Sequence, residues 1–123
     1  MTKILVADDS PFVLEIVETV LKSEGFEVVT ASDGAEAWEK VQNEKPDVIV
    51  CDVVMPKMNG YEICQKVKES EELKNIPVLI LTTKAQDKDV KLAQVSGADL
   101  YMTKPFDPDE LADKVRRFFE KRH

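Results

Sequence analysis

The sequence predicts a doubly wound α/β fold, (βα)5, in which a five-stranded parallel sheet is covered on both faces by helices. Three observations carry that expectation. Short apolar runs alternate with longer helical patterns five times along 123 residues. Turn or capping residues mark each change of pattern. The runs Ile4-Leu5-Val6-Ala7, Val48-Ile49-Val50-Cys51 and Val78-Leu79-Ile80-Leu81 are continuous rather than alternating, as strands are when both of their faces are buried.

Taken in order, the strands are expected at Lys3–Ala7, Glu27–Ala31, Asp47–Cys51, Val78–Leu81 and Asp99–Met102. Helices fill the gaps, from about Pro11 to Glu24, Gly34 to Glu44, Asn59 to Ser70, Gln86 to Ser96 and Pro108 to Lys121. The first carries Val13, Val17, Val20 and Leu21 on one face, and the third carries Ile63, Cys64 and Val67 at similar spacing. The last helix has the strongest start signal. There Asp107-Pro108-Asp109-Glu110 supplies an N-cap, a first-turn proline and a glutamate three residues on. Asp33 and Glu36 make a comparable pair, and Gly25 and Gly97 stand where helices one and four should end in the left-handed conformation. The longest irregular piece, Ser70–Pro77, is a polar connection, and the chain shows no internal repeat or low-complexity stretch.

Composition narrows the function. The 17 Lys and Arg against 24 Asp and Glu leave a formal charge of −7, which disfavours non-specific contact of this chain with nucleic acid or anionic membrane, since both require clustered positive charge. No apolar run approaches a membrane span, and residues 1–25 lack a signal-peptide pattern, so a cytoplasmic protein is expected. Cys51 and Cys64 fit neither a disulfide framework nor a CxxC metal site and are read as buried free thiols. The single histidine is His123, which removes His-based triads and HExxH zinc sites. Chemistry here must use carboxylates, Lys, Thr, Tyr or Ser.

In a parallel sheet the residues just after each strand share one edge, where ligands bind. Those residues are Asp8 and Asp9 after strand one, Asp52 after strand three, Thr82 and Thr83 after strand four, and Thr103, Lys104 and Pro105 after strand five. Each has an ordinary explanation alone. An acid beside a helix start answers the helix dipole, a lysine before proline is often a solvated loop residue, and a threonine can simply end a strand. Asp52 resists such treatment because it interrupts the apolar run from Val48 to Met55, where an unpaired charge is costly. Two carboxylates about 5 Å apart repel by roughly 3 kcal/mol at an effective dielectric near 20. A hard cation with oxygen ligands relieves that repulsion, and Mg²⁺ suits a few carboxylates, a backbone carbonyl and retained waters.

Asp8-Asp9, Asp52 with Met55-Pro56 and Asn59-Gly60, Thr82, and Lys104-Pro105-Phe106 together resemble the receiver domain of bacterial two-component response regulators, of the chemotaxis-regulator single-domain type. The resemblance covers essentially the whole chain. It implies a flavodoxin-like sheet of order 2-1-3-4-5 and one receiver domain over residues 1–123, with no effector domain in this chain. It implies further that Asp52 accepts a phosphoryl group from a phosphohistidine of a sensor histidine kinase or phosphotransfer protein. Asp9 would ligate Mg²⁺ directly, Asp8 partly through water, and Asp52 and the backbone carbonyl of Val54 would complete the protein ligands. Lys104 would hold a phosphoryl oxygen, and Lys104-Pro105 is commonly cis in the family. Thr82 and Tyr101 would be the switch pair, with Tyr101 turning inward as the Thr82 hydroxyl moves toward the phosphoryl group.

A downstream protein would then read the face made by helix four, strand five and helix five, where Lys84, Lys88, Lys91, Lys114, Arg116 and Arg117 lie. A monomer or a weak, phosphorylation-dependent dimer is expected, with no direct contact to nucleic acid and none to membrane. Three positions depart from the chemotaxis-type pattern: Val54 is apolar, Thr83 is bulky and Lys84 is cationic. An apolar Val54 cannot orient a hydrolytic water, so slow loss of phosphate is expected. The rivals are a phosphorylation-independent pseudo-receiver adaptor, which should have lost one of the acids or Lys104, and a carboxylate phosphatase, which needs an acid where Val54 stands. Flavin binding would need a Ser/Thr/Gly-rich phosphate loop after strand one, and none is there.

Overall fold

A computed structural model describes residues 2–82 and 97–120. The expected fourth helix, together with Thr83, Lys84, Lys88 and Lys91, lies outside the described residues. Five strands, β1 (Lys3–Ala7), β2 (Glu27–Ala31), β3 (Val48–Asp52), β4 (Val78–Thr82) and β5 (Leu100–Thr103), form one parallel sheet of order β2-β1-β3-β4-β5. Helices α1 (Pro11–Ser23), α2 (Gly34–Glu44) and α3 (Gly60–Glu69) and a last described helix, Pro108–Glu120, pack on it. The fold and strand order are those expected from the sequence, and the described boundaries move by at most one residue. Strand β3 runs one residue further than anticipated, so Asp52 is its final residue and pairs in register with Leu81.

The period of two along each strand divides the core. Leu5, Ala7, Ile49, Cys51, Val78 and Ile80 face one side, where Ala37 and Val41 of α2 and Ile63, Cys64 and Val67 of α3 cover them. Ile4, Val6, Val48, Val50, Leu79 and Leu81 face the other, against Val17 and Leu21 of α1 and Leu111, Ala112 and Val115 of the helix Pro108–Glu120. Every residue of β3 and β4 is buried, which is the physical meaning of their unbroken apolar runs.

Local signals set the helix ends. Ser10 caps α1 by accepting from the Val13 N–H, and Pro11 occupies the first helical position. Asp33 caps α2 through the Glu36 N–H at 2.8 Å, while Glu36 reaches one residue further back than a capping box requires, to the Ser32 N–H. These backbone donors hold both carboxyls below their usual range. Asn59 and Glu62 form a full capping box on α3. Asp107 accepts from the Asp109 N–H as the last helix begins. Gly25 and Gly97 adopt φ of 93° and 91°, and Gly25 does so just after α1, as expected for a helix end. Both cysteines are buried and free, and burial pushes the Cys51 thiol far up. Among the described residues no helix is long and apolar enough to cross a membrane.

Candidate functional site

The carboxyl edge of the sheet collects the site. Asp8 leaves β1 with its N–H bonded to the Ala31 carbonyl of β2, so its backbone is fixed where two strands end. Its side chain is fully buried. One carboxylate oxygen accepts from the Ser10 N–H at 2.9 Å, turning the chain into α1, and the other accepts from the Lys104 Nζ at 2.5 Å. Lys104 is itself positioned by the Thr82 carbonyl, which accepts its N–H at 2.7 Å. The peptide bond from Lys104 to Pro105 is cis. The same ammonium lies 3.5 Å from the Asp52 carboxylate. Asp9 is exposed beside them, and one oxygen from each of Asp8, Asp9 and Asp52 lies within 4.8 Å of the others.

Three acids facing one lysine leave a surplus of negative charge, and Asp52 registers it. Burial, at 6% exposure, raises its carboxyl pKa to about 6. The Asp8 charge adds to this, and Lys104 only partly opposes it. Burial acts against the Lys104 ammonium too, but its bonds to Asp8 and Asp52 outweigh that and hold its pKa above the ordinary value. The donor set is all carboxylate and partly solvent-facing, the chemistry a hard divalent cation selects. Asp8, Asp9 and Asp52 therefore could hold such an ion.

The structure brings Asp8, Asp9, Asp52 and Lys104 together and places Thr82, buried, at the end of β4 next to β3. Val54 follows in the β3–α3 loop and is 69% exposed. Tyr101 sits on β5, 41% exposed, beside a cavity of about 270 Å³ lined also by Phe106, Glu110 and Lys114. Of the basic residues singled out on the last helix, Arg116 is engaged with Glu24 and Asp113 rather than free for a partner, while Lys114 faces Glu110.

Two glycines at the site carry more than the residue pattern announced. A Cβ on Gly60 would stand 2.3 Å from the Asp52 carbonyl oxygen and 3.2 Å from the Cys51 Sγ, so α3 reaches the backbone of the strand that bears Asp52 only because residue 60 has no side chain. Its N–H donates to the Val53 carbonyl at 3.0 Å. Gly60→Ala should lower stability by about 2–3 kcal/mol through overpacking against backbone, read as a lower urea midpoint at unchanged slope. An unchanged midpoint would show that the contact is soft. The close approach of Gly34 to Met58 is of the same kind. A glycine directly after a capping Asn or Asp was the available signal for both.

The carboxyl edge of this doubly wound parallel sheet thus gathers three carboxylates and an ammonium, a cluster that could hold a metal ion. Comparison with known proteins gives it a family. Residues 4–116 match the response regulator receiver domain, and the chain belongs to that family. It is 43% identical over 114 residues to the alkaline phosphatase synthesis transcriptional regulatory protein PhoP of Bacillus subtilis, covering 93% of this chain and 47% of that protein. PilG of Pseudomonas aeruginosa is 36% identical over 114 residues, covering 93% and 84%. The solved structure of the chemotaxis response regulator CheY4 of Vibrio cholerae superposes with a TM-score of 0.89 at 38% identity, covering 95% of this chain and 98% of that one. The chain spans about half the length of several curated relatives, among them PhoP and the DNA-binding response regulator MtrA of Mycolicibacterium smegmatis.

Proposed function

We propose that the protein is a phosphorylation-activated switch in which Asp52 accepts a phosphoryl group from a phosphohistidine of a sensor kinase or phosphotransfer protein. The observation that carries this reading is the buried Asp52 carboxylate ending β3, with Lys104 at 3.5 Å and Asp8 and Asp9 on the same edge. An Asp52 oxygen attacks phosphorus as the bond from phosphorus to the donor imidazole nitrogen breaks, leaving an acyl phosphate on Asp52 and a neutral imidazole on the donor. Lys104 stabilises charge on the phosphoryl oxygens, and its bond to Asp8 holds it in place before the donor arrives. Asp8, Asp9, Asp52 and the Val54 backbone carbonyl would hold Mg²⁺. When bound, that ion neutralises charge shared by the carboxylates and the phosphoryl oxygens.

Thr82 and Tyr101 form the switch. Phosphorylation adds about −1.5 to −2 charges beside the Thr82 strand end, drawing the hydroxyl inward and giving Tyr101, now partly in solvent, room to turn toward the sheet. The surface altered is that of β5 and the helix Pro108–Glu120 with the segment between β4 and β5, and a downstream protein reads it. Residues 1–123 thus act as a receiver unit.

The decisive experiment incubates the protein with Mg²⁺ and a small phosphodonor and measures intact mass. Wild type should gain one phosphoryl group and Asp52→Ala none; no gain in either would favour a phosphorylation-independent adaptor. The same assay tests the lifetime of the product. The Val54 side chain stands in solvent beside the site with no atom able to orient water, so the wild-type phosphoprotein should decay slowly. Val54→Asn should speed the decay by roughly 3–10-fold, within the reach of a single water-positioning contact. Rapid wild-type loss that Val54→Asn leaves unaltered would remove Val54 from the account.

A further inference from the structure

The loop from Val53 to Asn59 carries Val54, and it is closed by its own Met58 N–H to Pro56 carbonyl bond and tied to the rest of the fold at both ends. Its near end is tied to the sheet, where the Val53 N–H donates to the Leu81 carbonyl at 3.0 Å. Its far end is tied to the start of α2. The Gly34 N–H donates to the Pro56 carbonyl at 3.0 Å, and a Cβ on Gly34 would stand 1.9 Å from the Met58 carbonyl oxygen and 2.5 Å from Met58 C and Cβ. Between these contacts Lys57 is held at φ 74°, the left-handed region, and its Nζ lies 3.5 Å from an Asp33 carboxylate oxygen. The Val54 side chain, largely in solvent, gives the loop little anchorage of its own. Val53 and the buried Met55 fix one side of Val54 on the core, so what remains to place its backbone is the fit of Pro56–Met58 against residue 34.

We infer that Gly34 is a positioning residue for the phosphoacceptor site: by letting the amino end of α2 touch the Pro56–Met58 backbone, it holds the Val54 carbonyl where Mg²⁺ is bound. This rests on the reading of Asp8, Asp9, Asp52 and Val54 as the cation's ligands. An added methyl at residue 34 cannot be accommodated by a side-chain rotation, because the nearest atoms are backbone. The contact between the loop and the amino end of α2 must open, while Asp52, fixed within β3, stays. Gly34→Ala should thus weaken the cation site without removing the nucleophile.

The test is calorimetric titration of metal-free protein with MgCl₂ alone, in wild type, Gly34→Ala and Val115→Ala. The last variant is destabilised in the core on the opposite face of the sheet, distant from the loop. Gly34→Ala should raise the Mg²⁺ dissociation constant about tenfold, the scale seen when groups that orient metal ligands are altered, and Val115→Ala should not. Phosphoryl incorporation by Gly34→Ala should recover as Mg²⁺ is raised. Wild-type affinity in Gly34→Ala, or equal weakening in Val115→Ala, overturns the inference alone; a wild type that binds no Mg²⁺ overturns the assignment of the cation site as well. If Gly34→Ala does not fold, Lys57→Gly releases the same loop without adding an atom. It should weaken Mg²⁺ binding about threefold or more with no fall in melting temperature, and unchanged binding there overturns the inference.

Discussion

Asp52→Asn should melt at a higher temperature than wild type in metal-free buffer at pH 7.5, although it abolishes phosphoryl incorporation. Burial and the neighbouring Asp8 charge raise the Asp52 carboxyl from 3.8 to about 6, so its ionised form is less favourable in the folded protein than in the unfolded chain. Because the folded value is the higher one, the group's contribution to stability is intact below about pH 4 and is lost as pH rises through 6. At pH 7.5 the full shift is worth about 3 kcal/mol, which for a domain of this size corresponds to roughly 10 °C. Asparagine keeps the shape and removes the charge. Its advantage should therefore be largest at pH 7.5 and shrink steadily between pH 6 and 4. Millimolar Mg²⁺ should raise the wild-type melting temperature and close the gap, since binding to the folded state alone stabilises it, and Asp9→Asn should blunt that response. Differential scanning fluorimetry at three pH values with and without Mg²⁺ reads all of this. An Asp52→Asn melting temperature equal to wild type across the range would show that the carboxylate pays no such cost.

How much of this was legible in the sequence depends on the distance over which each feature is determined. The strands announced themselves because burial on both faces demands unbroken apolar runs, and Asp52 stood out because it breaks one. The convergence of Asp8, Asp52 and Lys104 followed from parallel topology, which sends every strand end to one edge. Strand order was legible only through the family resemblance, since local patterning does not say which strand neighbours which. The period of two held no such information at Asp8 and Asp9, since the phases they continue, Ile4 and Val6 or Leu5 and Ala7, are both buried, and only the turn into α1 leaves Asp8 buried and Asp9 exposed. The Asn59 and Glu62 capping box was written locally. By contrast, the contacts of Gly34 with Met58 and of Gly60 with the Asp52 carbonyl are tertiary. A glycine after a capping residue hints at such an approach but cannot name the atoms it meets. The left-handed residues are Lys45 and Lys57 as well as glycines, so no composition rule would have located those turns.

Lys104→Met should produce the largest loss of stability of any single change at the site, and the loss should be reversible by the cation. Lys104 donates to Asp8 at 2.5 Å and faces Asp52 at 3.5 Å, and Asp8 is entirely shielded from water. Methionine preserves much of the aliphatic volume, so the change isolates the charge. Removing one partner from a buried pair costs about 3–5 kcal/mol, because the carboxylate left behind is neither solvated nor paired. In metal-free buffer at pH 7.5 the melting temperature should fall by roughly 10 °C or more. Mg²⁺ should then stabilise Lys104→Met by more than it stabilises wild type, since the variant's three carboxylates have no internal cation to share. Phosphoryl incorporation should remain severely impaired even at saturating Mg²⁺, where the metal-binding charge is restored but the donor aimed at the phosphoryl oxygens is not. That combination separates the two parts assigned to Lys104. Full recovery of incorporation with Mg²⁺ would reduce the lysine to a structural counter-ion for Asp8, and a Mg²⁺ response no larger than that of wild type would show that the three carboxylates do not act as one electrostatic site.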